Sequence, residues 1–213
     1  MDEDLDLDFG DLDFGLDLKT DVVRLEIDAV VANLDVNNRQ VFCIDRESQQ
    51  LENLIPYPPP VGTCYKMLSG KNGFSSIAII DYIARREVIE EMYVSTFRIG
   101  QKQMEVLDEL AGRIKSAHFI TSSLQGREDE KDKYDYGKYC RAVCDKYGWG
   151  YHPHNNHSKV FLMRTAQNYY VCETSSNLNE NPKLEQYSFE NNKDVYEFYE
   201  KMFLAILKKI KKS

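Results

Sequence analysis

The stretch NHSKVFLMRTAQNYYVCETSSNLN, residues 156–179, decides the fold because it combines two short apolar runs with polar clusters at their ends. The runs SKVFLM (158–163) and NYYVCE (168–173) are rich in β-branched and aromatic residues, which is typical of buried strands. A third run, LEQYSF (184–189), follows soon after. We therefore expect three consecutive strands in this part of the chain.

Two pairs of polar side chains lie at the ends of the first two predicted strands. Residues i and i+2 of a strand share a face, so His157 and Lys159 are expected to project together. Ser175 and Asn177 have the same spacing at the end of the second strand. If the two strands are neighbours, an imidazole, an ammonium, a hydroxyl and an amide converge. Such a cluster suits a phosphate, which needs donors for its oxygens and a nucleophile close to phosphorus.

Strands alternate with helices before and after this stretch. Periodic apolar residues predict a helix with Ser75 or Ser76 as its N-cap and with Ile79, Ile80 and Ile83 on one face. Further helices are predicted at 101–117, 134–147 and 193–212, and further strands at 41–44, 92–99, 118–123 and 149–153. This alternation indicates an α/β fold, with a mixed β-sheet flanked by helices.

The N-terminal part differs in composition from the rest. Eight of the 35 acidic residues precede Lys19, and the remaining 27 equal the 27 basic residues, so the net charge of -8 belongs to this segment. Residues 1–20 are interpreted as a disordered acidic tail. The alternatives are a docking peptide for a protein partner, or a mimic of phosphate that covers a basic groove on this protein or on a partner. Residues 21–60 are interpreted as an N-terminal extension with a proline-rich loop, and residues 61–213 as the main domain.

The cysteines and the apolar stretches bear on compartment and metal binding. Five cysteines without the spacing of a disulfide scaffold favour a reduced, cytoplasmic setting, and no stretch approaches the roughly 18 apolar residues of a membrane span. Cys140 and Cys144, with His152, His154 and His157, raise the alternative of a zinc site. Their C-x(3)-C spacing and crowded H-P-H suit tetrahedral ligation poorly, so no metal and no other cofactor is predicted.

The polar residues also resemble the signature of a known family. His157-Ser158-Lys159, then Thr174-Ser175-Ser176-Asn177 and a downstream Glu185, are similar to the pattern H-x-K-x(4)-D, G-S-x-N and Glu of the phospholipase D superfamily. The similarity extends loosely from about Leu68 to the C-terminus, like that of small phage and bacterial members with a single motif. It implies a phospholipase D-like fold and metal-independent phosphodiester chemistry. The site residues it implies are His157, Lys159, Ser175, Asn177 and Glu185.

The resemblance further implies a role for each histidine. One histidine attacks phosphorus to give a phosphohistidine, and a second protonates the leaving oxygen. Glu185 would orient His157 through its second ring nitrogen. This chain has one H-x-K, since Lys159 is the only lysine two positions after a histidine. A homodimer that brings two copies of His157 into one site is therefore expected.

Two positions depart from the family pattern. Arg164 stands where the family has Asp, and Thr174 stands where it has Gly. They favour the alternative of a catalytically inactive binding or structural protein of a phage or bacterium, docked through its acidic tail and virion-associated if phage-encoded. The short chain with one motif favours nucleic acid over lipid, because neither a two-motif chain nor an apolar membrane-binding surface is visible. A nuclease, or an enzyme for another phosphodiester, is the preferred interpretation.

Overall fold

The structure, a computed structural model, describes residues 51–69, 74–122, 136–179 and 184–210, together with two strands at 24–28 and 39–45. Its strands are β1 (Arg24–Asp28), β2 (Arg39–Asp45), β3 (Thr63–Ser69), β4 (Glu91–Ser95), β5 (Ala117–Ser122), β6 (Gly150–His154), β7 (Val160–Arg164), β8 (Tyr169–Thr174) and β9 (Glu185–Asn191). Its helices are α1 (Leu51–Leu54), α2 (Ile77–Ala84), α3 (Gln101–Glu109), α4 (Tyr136–Tyr147) and α5 (Lys193–Ile210). The predicted acidic tail lies outside the described residues.

These strands form one mixed sheet in the order β1-β2-β3-β9-β8-β7-β4-β5-β6. β2 runs parallel to β3, and β4, β5 and β6 run parallel to one another. All other neighbouring strands are antiparallel. The start of β7 therefore lies beside the ends of β4 and β8, and the start of β9 lies beside the end of β8.

Helices cover both faces of the sheet. Residues of α2, α3 and α4 pack on one face, where Tyr65, Phe161 and Phe189 are buried. Helix α5 packs on the other face, where its Phe203 joins Leu162 in a second core. Burial on both faces explains why β7 is apolar throughout its first four residues. The predicted α/β fold with a mixed sheet and flanking helices is confirmed.

None of the helices that the structure describes is both long enough and apolar enough to cross a bilayer.

Strand β4 ends earlier than predicted, at Ser95 rather than at residue 99. The N–H of Thr96 and the carbonyl of Phe97 still bond to β5, and the hydroxyl of Thr96 donates to the carbonyl of Arg98 at 3.0 Å in the turn that follows. The next residues pair with a different loop, since the N–H of Gly100 donates to the carbonyl of Leu178 at 2.8 Å. The loop at 96–100 consequently lies beside the residues that follow β8.

Helix α2 starts at the predicted position, although its N-cap residue makes no side-chain capping bond. Ser76 occupies the N-cap position with helical backbone angles, and its side chain makes no capping bond. Its hydroxyl instead donates to the carbonyl of Ser176 at 3.4 Å. The predicted N-cap residue is confirmed, but a long-range contact rather than a capping bond uses its hydroxyl, and this contact ties the start of α2 to the loop after β8.

Candidate active site

The ends of four neighbouring strands meet at one edge of the sheet. These are the C-terminal ends of β4 and β8 and the N-terminal ends of β7 and β9. The N–H of Thr174 donates to the carbonyl of Lys159 at 3.1 Å, so the β7–β8 ladder continues into the flanking segments. The H-x-K and S-x-N segments are therefore neighbours, which is the condition on which the expected polar cluster depends.

His157 and Lys159 stand side by side in front of β7. The Nζ atom of Lys159 lies 3.3 Å from Nδ1 of His157 and donates to the carbonyl of His157 at 2.9 Å. His157 is exposed, whereas Lys159 is half-buried. An ammonium group can only donate, so when Lys159 is protonated, Nδ1 is the acceptor. The ring proton of a neutral His157 then resides on Nε2.

Ser175 and Glu185 form the second pair. The hydroxyl of Ser175 donates to Oε2 of Glu185 and accepts the N–H of Gln186 at 3.1 Å. Glu185 is the first residue of β9 and is 8% exposed. Because Nδ1 of His157 faces Lys159 in this structure, the predicted role of Glu185 in orienting His157 stays a prediction.

Asn177 lies in the loop after β8, between two anchored neighbours. The N–H of Ser176 donates to Oγ1 of Thr174 at 3.0 Å, and the N–H of Leu178 donates to Oγ1 of Thr96 at 2.9 Å. The side chain of Asn177 is half-buried, and no donor among the described residues bonds its buried Oδ1. The loop thus fixes the backbone of Asn177 at the strand edge that carries Ser175.

The surroundings of Lys159 lower its pKa. Partial burial disfavours the ammonium form, and the negative charge of Glu185 opposes this effect. Glu185 therefore acts on two groups, the Ser175 hydroxyl by a hydrogen bond and Lys159 by its charge. A cation that has lost part of its hydration attracts an anionic ligand more strongly than one in bulk water. This environment suits a phosphate group.

An aromatic ring and a guanidinium group lie next to the imidazole. Phe97 packs against His157 with ring centroids 5.1 Å apart and ring planes tilted by 53°. The guanidinium carbon of Arg98 lies 5.5 Å from the centroid of Phe97. Sequence reasoning missed both residues because it placed them inside a strand.

Asn156, directly before His157, was also missed. Its side-chain amide donates to the carbonyl of Thr96, directly after β4, and to the carbonyl of Ile120 in β5. Asparagine is common in turns because its side chain bonds nearby backbone. That preference is the signal in the sequence that could have drawn attention to this residue.

Arg164, which replaces the family's aspartate, lies at the far end of β7. It is five residues beyond Lys159, a separation of about 16 Å along a strand. Strand alternation puts it on the face covered by α5, together with Leu162. Its guanidinium pairs with Oε2 of Glu91 at 3.4 Å. This departure from the family pattern is therefore an ion pair outside the candidate site.

Thr174, which replaces the family's glycine, uses its hydroxyl twice. Oγ1 donates to the carbonyl of Gln186 at 2.8 Å and accepts the N–H of Ser176 at 3.0 Å. A glycine could make neither bond. The second departure therefore reinforces the loop that carries Ser175 and Asn177.

The residues of the zinc alternative lie in different surroundings. Cys140 and Cys144 lie on α4 with their side chains buried in the core, and burial raises the pKa of each thiol to about 12. His152 contacts His118 across β5 and β6, with Nε2 of His152 and Nδ1 of His118 3.4 Å apart. Within the part of the chain that the structure describes, no three potential metal ligands of the His, Cys, Asp or Glu type come together.

Comparison with known proteins rests on structure, because no family model and no curated protein matches this chain. Nuc from Salmonella typhimurium, a phospholipase D family member, aligns with a TM-score of 0.51 at 11% sequence identity. The match covers 68% of this chain and 93% of Nuc. The chain thus has a phospholipase D-like fold, which confirms the resemblance at the level of the fold.

Two further solved structures align with lower scores. Phosphatidylserine synthase from Haemophilus influenzae is 14% identical, with a TM-score of 0.38 and coverage of 70% of this chain and 37% of that protein. A variant of yeast tyrosyl-DNA phosphodiesterase is 11% identical, with a TM-score of 0.37 and coverage of 59% of this chain and 31% of that protein. Each alignment covers about a third of the length of the solved protein.

Proposed function

We propose that this protein is a metal-independent phosphodiesterase that cleaves nucleic acid as a homodimer, through a phosphohistidine on His157. The observation that carries the proposal is the juxtaposition of the His157–Lys159 pair with the Ser175–Glu185 pair at the ends of adjacent strands. One edge of the sheet therefore supplies a nucleophile, a cation and a buried carboxylate. Phosphodiester displacement uses groups of these kinds.

In the proposed mechanism, Lys159 moves from the imidazole to the phosphate. Its ammonium lies 3.3 Å from Nδ1 of His157 in the free site. A phosphate oxygen competes for this ammonium because an anion is a stronger acceptor than a neutral ring nitrogen. Nδ1 can then carry the ring proton, and Nε2 becomes the free base that attacks phosphorus. We assign to Glu185 the hydrogen bond that accepts this Nδ1 proton.

The reaction then proceeds in two steps. First, Nε2 of His157 forms a bond to phosphorus, the P–O ester bond breaks, and the leaving oxygen takes a proton from His157 of the second copy. Next, that imidazole accepts a proton from water, whose oxygen attacks phosphorus and breaks the P–N bond. Both imidazoles return to their starting protonation states. Lys159 and Asn177 hold the phosphate oxygens, while Ser175 holds Glu185.

The homodimer follows from the requirement for two histidines. The sequence provides one H-x-K, and the imidazole of His157 is exposed at the strand edge. A second copy can supply the second imidazole when a two-fold axis passes near this edge. A monomer would have the nucleophile but would lack the general acid.

Nucleic acid is the favoured substrate because of the surroundings of His157. Phe97 and Arg98 offer an aromatic ring and a planar cation, and both kinds of group stack on bases. The acidic segment at 1–20 would repel the phosphates of nucleic acid, so we assign this segment to docking with a protein partner.

The test is hydrolysis of single- and double-stranded DNA, RNA and bis(p-nitrophenyl) phosphate in the presence of EDTA. The wild type, His157→Ala and the matched control His154→Ala are compared. His157→Ala should lose on the order of 10²-fold or more of the rate, since the covalent route is abolished. His154→Ala should retain the wild-type rate, because this residue is at the end of β6 and not in front of β7.

Two outcomes would contradict the proposal. Equal activity of His157→Ala and wild type would show that His157 is not the nucleophile. Full activity of a protein that is strictly monomeric in sedimentation at micromolar concentration would show that catalysis does not need a second copy. Nucleic-acid binding without cleavage would instead support the alternative of an inactive binding protein.

A further inference from the structure

The side chain of Asn156 bonds three parts of the chain that meet at the strand edge. Its Nδ2 donates to the carbonyl of Thr96 at 3.2 Å and to the carbonyl of Ile120 at 3.1 Å. Its Oδ1 accepts the N–H of Ser158 at 3.0 Å. The hydroxyls of Ser95 and Ser158 lie 3.1 and 2.8 Å from the same oxygen. Every hydrogen-bonding position of the amide is therefore used.

These bonds determine the orientation of the amide. Two carbonyls face one end of the amide and a backbone N–H faces the other, so only one assignment of Nδ2 and Oδ1 satisfies all partners. The bonds are also long-range, since Asn156 is 60 residues from Thr96 and 36 residues from Ile120 in the chain. Asn156 therefore fastens the segment before β7 to β5 and to the residue that follows β4.

The hydrogen bonds of Asn156 hold the backbone next to His157, and neighbouring side chains contact the carbonyl and the ring of His157. Its backbone lies between Asn156 and Ser158, and Ser158 is bonded to Asn156. Its carbonyl accepts from Lys159 at 2.9 Å, and its ring packs on Phe97. Phe97 follows Thr96, whose carbonyl is a partner of Asn156. The same amide thus holds both the residue before the imidazole and the loop that supports the imidazole ring.

We propose that Asn156 is a positioning residue for catalysis, which holds His157 in line with the phosphorus atom without contacting the substrate. This inference rests on the proposed function of His157 as the nucleophile. In-line displacement is sensitive to the direction and distance of attack, and an error of about 1 Å can cost about 10²-fold in rate. An exposed imidazole on an unfastened segment would sample many such positions.

The test compares Asn156→Ala with Asn155→Ala. Asn155 is the adjacent residue of the same type and is exposed, which makes it a matched control. For single-stranded DNA, kcat of Asn156→Ala should fall on the order of 10²-fold while KM changes by less than about 3-fold, because the chemical step needs alignment. Asn155→Ala should keep both constants. Equal losses in the two variants, or an unchanged kcat in Asn156→Ala, would overturn the inference.

A double-mutant cycle then distinguishes positioning from general damage. If Asn156 acts through His157, the residual rate of His157→Ala should not fall further when Asn156→Ala is added. An additional 10²-fold loss in the double variant would indicate an effect independent of His157 and would contradict the proposal. Ser95→Ala removes one donor at Oδ1 of Asn156 and provides a milder variant. In Ser95→Ala, kcat should fall by a smaller factor than in Asn156→Ala, and KM should again change little. This variant keeps the test decisive if Asn156→Ala does not fold.

A spectroscopic measurement decides the inference independently of activity. The chain has four histidines, so its imidazole signals can be assigned by removing His157. The ring of Phe97, 5.1 Å away, shifts the signals of a fixed His157. Ser95→Ala and Asn156→Ala should move these signals toward their values in an unstructured peptide, and Asn155→Ala should not. If no variant moves them, Asn156 does not position His157. If wild type cleaves nothing but the signals move, the proposed function fails and the fastening by Asn156 stands.

Discussion

Replacement of Lys159 by methionine is the sharpest test of phosphate binding at the strand edge. Methionine keeps an unbranched, partly buried chain and removes the ammonium. A hydrogen bond to a charged group contributes about 1.5 to 3 kcal/mol, which corresponds to a loss of about 10- to 150-fold in affinity. Because Lys159 binds the phosphate in both ground and transition states, the loss should be at least as large in kcat/KM.

The assay measures binding and turnover of a single-stranded oligonucleotide over a range of salt concentrations. Removal of one phosphate contact should reduce the slope of log K against log salt by about 0.7. The matched control is Lys201→Met, which removes an exposed lysine from α5. Lys201→Met should leave kcat/KM unchanged. A loss below 2-fold in Lys159→Met, or the same loss in both variants, would refute the reasoning.

Three further predictions concern pH, metal and stability. Activity should fall as pH rises through the pKa of Lys159, which burial lowers, and Glu185→Gln should move this alkaline limb to lower pH in a pH–rate profile because the opposing charge is lost. Cleavage should survive EDTA, since Lys159 supplies the positive charge, and rescue by added zinc or magnesium after a loss would contradict this. Glu87→Leu should lower the free energy of unfolding by about 3 kcal/mol in urea titrations, because it leaves buried donors such as Tyr170 unpaired, whereas Glu87→Gln should cost less. Burial alone would raise the pKa of Glu87, but three hydrogen bonds outweigh it and leave the pKa lowered. The stabilisation that ionised Glu87 contributes should therefore be present at neutral pH and be lost as pH falls through its folded-state pKa.

The strands around the candidate site were predictable because their signals are local. Apolar runs predicted β7 and β8, but β7 begins at Val160, so His157 and Lys159 are in contact in the segment before the strand rather than on one face of it. The sheet order was not predicted, although β7 and β8 are neighbours as the site required. Local periodicity determines which residues share a face, and it carries no information on which distant strands pair.

The supporting contacts could not be predicted because they join residues that are far apart in the sequence. Asn156 bonds to Ile120, and Ser76 bonds to Ser176, 100 residues away. Ser76 was predicted as a helix cap, but its hydroxyl bonds to the loop after β8. Thr96 was predicted as a strand residue, but its hydroxyl bonds to Arg98 and Leu178 in loops at the site. Serine, threonine and asparagine can satisfy backbone groups either locally or at a distance. The choice is made by tertiary packing.

The two departures from the family pattern bear on the choice between enzyme and inactive relative. In the sequence they favoured inactivity, because each replaces a residue of a catalytic signature. In the structure Arg164 pairs with Glu91 at the opposite end of β7, and Thr174 makes two hydrogen bonds that a glycine lacks. Neither change removes a donor, a nucleophile or a charge from the strand edge, and Thr174 adds rigidity to the segment that carries Ser175. Lys159 is half-buried and Glu185 is buried, and the negative charge of Glu185 opposes the effect of burial on the pKa of Lys159. The proposed phosphodiesterase requires His157, Lys159, Ser175 and Glu185 together at the strand edge, and the two departures from the family pattern remove none of these four residues.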